Sequence, residues 1–179
     1  NYVWKEMQDS GYFIELYAIR SFSVRTMPSG LLEEQAGAGA SEQEQLTAFQ
    51  TLLPKFETED SGRVGGRMRA YNTFRAADEL VRIRDSIRWM DGYDESCMEG
   101  NERICIISEK WGYHPGDTVP FLAEVVVYKR PMKGIFRLKV AGTYPGKITE
   151  FAGVMPLKTM EELTVAANAA QKQHGNSYN

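Results

Sequence analysis

Residues 102–111, "ERICIISEKW", constrain the fold more than any other stretch of this chain. Ile104 to Ile107 is a run with no polar alternation, too short for a helix of ordinary length. Such a run reads as a strand covered on both faces and paired on both edges, as a central strand must be. Two partners follow. "FLAEVVVYK" places Phe121, Ala123, Val125 and Val127 on one face. After the turn "RPMKG", "IFRLKV" alternates Phe136, Leu138 and Val140 against Ile135, Arg137 and Lys139. Hydrophobic residues make up 42% of the 179, enough to build a core around these strands.

Helices are expected on either side. Ser41 and Glu44 form a capping box ahead of Leu46, Phe49 and Leu53, so residues 42–53 read as a helix ending at Pro54. Leu80, Val81 and Ile83 fit a short strand. Asp85 or Ser86 then caps a short helix with Ile87, Met90 and Cys97 on or near one face. Residues 141–158 read as loop, and Thr159 with Glu162 opens a last helix running to about Lys172. The first 25 residues carry six aromatics, and Tyr12 to Val24 fits helix and strand equally. The chain begins at Asn1 without Met, as expected either if a targeting segment has been removed or if the true start lies upstream.

Charge and motifs set limits on the chemistry. Residues 31–60 hold seven acids against one lysine; residues 63–88 hold seven arginines against three acids. The net charge of −3 argues against non-specific nucleic-acid binding by the chain as a whole. "SGRVGGR" lacks the Lys-Ser/Thr ending of a phosphate loop, so its arginines read as a solvated face. Cys97 and Cys105 read as plain thiols, and two histidines, His114 and His174, support neither a zinc site nor a Cys-His pair. No apolar run is long enough to span a bilayer.

The order of segments resembles the FKBP-type prolyl isomerases. "TMPSGLLEE" is similar to that family's Thr-Pro-Ser-Gly-Leu opening, and "SIRWMDGYDESCMEGNERICIISEKWGY" to its short helix, Gly turn and strand ending in Tyr-Gly-Tyr. "PFLAEVVVYK" stands where its last strand stands. Ile87, Arg88, Gly100, Trp111, Gly112 and Tyr113 fall in matching places. The resemblance implies an α+β domain, a curved antiparallel sheet around a short helix at about residues 86–93. It divides the chain into an aromatic extension (1–25), an FKBP-like domain (26–130) and a C-terminal extension with a terminal helix (131–179).

It also implies a shallow apolar pocket formed by Ile87, Met90, Trp111, Tyr113, Tyr71, Asn72 and Ala123, with neither cofactor nor metal. A dry pocket of that kind speeds rotation about an Xaa-Pro bond by favouring the twisted amide, without covalent chemistry. This chain departs from the pattern. Asn72 replaces the pocket carboxylate, Met90 the floor tryptophan and Ala123 a phenylalanine. "HPGDTVP" shortens the loop that leans over the substrate. Trp111 and Tyr113 are then either a pocket wall or a plug for the barrel end. The expectation is an FKBP-like protein with an eroded pocket. It would serve as a structural subunit of a larger assembly and contact protein partners through residues 1–25 and 131–179. The alternative is an active folding catalyst. The resemblance further points to an organelle, the plastid ahead of the mitochondrion.

Overall fold

The computed structural model describes residues 19–26, 30–59, 65–127, 130–146 and 151–165. Strand β4 (Ile104–Ser108) is buried at every position and paired on both edges, as a run apolar on both faces requires. Its partners are β6 (Arg130–Tyr144) and β7 (Phe151–Pro156). The remaining strands are β1 (Ile19–Arg25), β2 (Gly65–Tyr71), β3 (Arg88–Trp89) and β5 (Thr118–Val127).

The pairing closes on itself. It runs β6, β4, β7, β2, β1, β5 and back to β6, with β3 added beside β6. Closure of this kind removes sheet edges that would otherwise need cover. The length of β6 makes it possible. Arg130 to Lys139 pairs with β5, and Lys139 to Tyr144 reaches past β5 to pair with β4.

The sheet is mixed, which corrects the antiparallel expectation. β4 runs parallel to β6, and β2 runs parallel to β7. The chain goes out along β4, returns along β5 and goes out again along β6, so β4 and β6 must point the same way. The expected helix at 86–93 is also absent. Arg84–Ser86 is a 3-10 turn, and Arg88 and Trp89 pair with Thr143 and Gly142 of β6. A helix there has no room inside the ring, which is filled by its own side chains.

Alternation sorts the strands into three apolar layers. The inward layer comprises Val24, Met68, Ala70, Cys105, Ile107, Val119, Phe121, Leu138, Val140 and Met155, with Tyr113 at one end. Helix α4 (157–165) caps it with Leu157 and Met160. Thr159 lies inside α4 and donates its hydroxyl to the Glu102 carbonyl at 2.5 Å, so it ties helix to loop and is not a capping-box residue.

The second layer is outward. Residues 72–99 fold over Tyr71, Ile106, Tyr144 and Val154 with Phe74, Leu80, Ile87 and Met98. Leu80 belongs to a short helix, α3 (Asp78–Val81), and not to a strand. The Tyr71 hydroxyl donates to Glu79 at 2.5 Å and Arg84 clasps Glu95 at 2.9 and 3.0 Å, which fastens this excursion down.

The third layer is the pair α1 (Leu31–Ala36) and α2 (Glu42–Glu59), which lay Leu32, Phe49 and Leu52 over Leu122 and Ile135. The Ser41–Glu44 capping box forms as expected, with both bonds present at 3.1 and 3.2 Å. α2 does not stop at Pro54 but continues to Glu59. Pro54 forfeits one backbone bond inside the helix without ending it.

Both expected domain boundaries cut through this ring. The span 26–130 lacks β1, nearly all of β6 and all of β7, half of the strands that close it. Residues 141–158 are not a loop, since β6 runs to Tyr144 and β7 follows. Tyr144, Val154 and Met155, expected to face a partner, are buried in the chain's own layers. The expectations for residues 1–18 and 166–179 lie outside the described residues.

The glycine of β7 makes its close approach to β4 possible. A Cβ at Gly153 would sit 2.8 Å from Ile107 Cγ2 and 3.2 Å from the Ile106 carbonyl, beside the bulge that shifts register between Arg67 and Met68. Gly153→Ala is expected to cost roughly 1–3 kcal/mol through overpacking. The urea midpoint reads this directly, and an unchanged midpoint would contradict the close approach.

Candidate functional site

The seven residues grouped by the family resemblance do not meet in one place. Tyr71 ends β2, and Ile87 precedes β3; both belong to the outward layer under residues 72–99. Asn72 follows Tyr71 and is half-buried. Met90 is half-buried, and its N–H donates to the Ala141 carbonyl at 2.8 Å, continuing the pairing of β3 with β6. Trp111 and Tyr113 pack on the inward layer, and Ala123 pairs with Val24 of β1. The set is thus split across the wall of the ring.

Trp111 and Tyr113 are built in by the glycine between them. Glu109–Trp111 is a 3-10 turn, and Gly112 ends it at φ 80° with its N–H on the Glu109 carbonyl. That left-handed step turns the chain so that both aromatics reach the same core. Tyr113 is 6% exposed. Burial pushes its hydroxyl pKa upward, the nearby charge of Glu33 adds to this, and a hydrogen bond with Thr26 opposes it. The Thr26 hydroxyl in turn donates to the Pro120 carbonyl at 3.1 Å.

Glu33 leads from this buried end to an open cleft of about 280 Å³. The α1–α2 pair forms one wall with Leu32, Glu33, Ala36, Gly37 and Gln45; Thr118 and Pro120 of β5 and Arg137 of β6 form the other. Arg137 donates to the Gln45 side-chain carbonyl, so the helical wall and the strand wall are linked across it. No ion pair joins Glu33 to Arg137 among the described residues.

Sequence reading missed this cleft. Alternation put Arg137 on the outward face, and the capping box fixed where α2 starts. Nothing local, however, brings residue 33 of a helix beside residue 137 of a strand.

Other groups have structural roles. Burial pushes Tyr71 up to about 12, with its bond to Glu79 adding and Arg69 opposing. Cys97 and Cys105 are both thiols, the second fully buried. Among the described residues no three His, Cys, Asp or Glu side chains converge as metal ligands. No helix among them is long and apolar enough to cross a membrane. Compared with known protein families and with curated proteins, the chain matches none of them.

Proposed function

We propose that this chain is a non-catalytic binding protein, a structural subunit of a larger protein assembly, and not a working prolyl isomerase. The observation that carries this is the division of the pocket set: Ile87 and Tyr71 lie outside the ring wall, Trp111 and Tyr113 inside it. A pocket that favours a twisted amide needs those walls facing one another around a dry space. Here the Tyr113 hydroxyl is engaged by Thr26, and the ring is filled. FKBP-like kinship is part of the proposal only for the segments around 26–31 and 86–130. The mixed pairing and the missing helix mark how far the chain stands from that family.

Partner contact is assigned to the aromatic segment ahead of β1. Tyr2, Trp4, Tyr12, Phe13 and Tyr17 precede a ring whose interior is already occupied. An organellar location, on the plastid side, belongs to the same reading and rests on the resemblance alone.

Exchange NMR on an Xaa-Pro peptide is expected to show the uncatalysed rate, tens of seconds per event. Affinity purification of the intact chain is expected to bring down a defined partner that a chain starting at Ala18 loses. Catalysed exchange that Ile87→Ala or Tyr113→Phe abolishes would overturn the proposal, as would a partner-free monomer.

A further inference from the structure

We propose that the cleft between the α1–α2 pair and strands β5 and β6 binds a small aliphatic zwitterion, of the class of free α-amino acids. Three properties of the cleft point to it. The first is size: a cleft of about 280 Å³ suits a small molecule.

The second is charge. Among the described residues of the lining, Glu33 and Arg137 bear the only formal charges, one of each sign, and they do not pair with each other. Two opposite charges in one small cleft would gain by pairing if they could reach. Set on different walls and unpaired with each other, they are complementary to a ligand that carries both signs itself. Arg137 is positioned by its bond to Gln45, which leaves further guanidinium donors for a carboxylate. Glu33 is held on α1, where the Gly37 N–H closes the helix on the Glu33 carbonyl at 2.8 Å.

The third is the floor. Leu32, Ala36 and Pro120 are apolar and line the same cleft as the two charges. Pro120 has no N–H, and its carbonyl is already engaged by Thr26, so this part of β5 presents no unpaired backbone group to an aliphatic side chain. The ligand's carboxylate is assigned to Arg137, its ammonium to Glu33 and its side chain to this floor.

The test is titration of the intact chain, followed by amide and side-chain NMR shifts, with four probes: leucine, N-acetyl-leucine, leucinamide and leucyl-leucine. Leucine is expected to move the signals of residues 32–37, 45, 118 and 137 together and saturably. Blocking either charge, as N-acetyl-leucine and leucinamide do, is expected to weaken binding roughly five- to tenfold. Leucyl-leucine binding as tightly as leucine would extend the ligand class to peptide ends and still support the two-charge site. Glu33→Gln is expected to weaken leucine while leaving N-acetyl-leucine unchanged, and Arg137→Gln to weaken leucine while leaving leucinamide unchanged. Both residues are exposed, so urea midpoints of the variants should stay near that of the parent. N-acetyl-leucine and leucinamide binding as tightly as leucine, or no shifts in the cleft at millimolar leucine, would overturn the proposal.

Discussion

A chain ending at Val140 is expected to lose its cooperative unfolding transition altogether. The cut removes β7, which separates β4 from β2 in the ring, and the cap α4. With them go Tyr144, Val154, Met155, Leu157 and Met160, all buried. At about 1.5–3 kcal/mol per large apolar side chain, these five amount to roughly 8–15 kcal/mol. That matches the whole stability of an ordinary domain, about 5–15 kcal/mol. It also leaves β4 and β2 with open edges. Scanning calorimetry of the truncated chain should show no sharp transition, whereas a chain starting at Ala18 should keep one, since every ring strand remains. A sharp transition in the shorter C-terminal truncation would mean that the ring does not depend on β7.

Stability is expected to fall steeply above about pH 9. Burial raises the thiol of Cys97 from 9.0 to about 12, and it raises Cys105 as well. It also raises the phenols of Tyr71, Tyr113 and Tyr144 above 10.0, Tyr71 to about 12. All five are neutral when protonated, and the fold favours that form. Below pH 9 both folded and unfolded chains hold these protons, and the stabilisation is fully present. Between pH 9 and 12 the unfolded chain releases them first, so it binds fewer protons than the native state, and stability drops as pH rises. The thiols act from pH 9 and the phenols from pH 10. Urea midpoints taken from pH 7 to 11.5 should be flat at first and then decline, and Cys105→Ala and Tyr144→Phe should each make the decline shallower. A midpoint still flat at pH 11.5 would contradict the burial of these groups.

The strands legible in the sequence were those whose side chains announce them. β4 shows an unbroken apolar run, and β5 and the second half of β6 show alternation, so their faces could be assigned before the fold was known. Leu138 and Val140 do point inward, and Ile135 does point to the other side. β7 was hidden because its sequence, "FAGVMP", carries a glycine and ends in proline, the marks of a loop. Its glycine is there because Ile107 and the β4 backbone come too close for any side chain. Leu80 and Val81 suit a strand locally, but Ala77 and Leu80 are fully buried against the outside of the ring, and one helical turn places them there. Parallel pairing was out of reach of any local reading. The candidate cleft was hidden for the same reason, since its two charges are about a hundred residues apart in the chain.

The span of those pairings has a consequence during synthesis. Val24 must find Ala123, and Met68 must find Gly153. At 5–20 residues per second, the last ring strand follows the first by about 6–25 s. For that interval Val24, Met68 and Ala70 have no permanent cover, and the ring cannot close from its early part alone. Closure through such distant contacts is slow even once the chain is complete, on the millisecond-to-second scale. The cell that makes this protein must therefore shield a half-made wall, so a holding chaperone at the ribosome is expected to matter more for its yield than the stability of the finished ring.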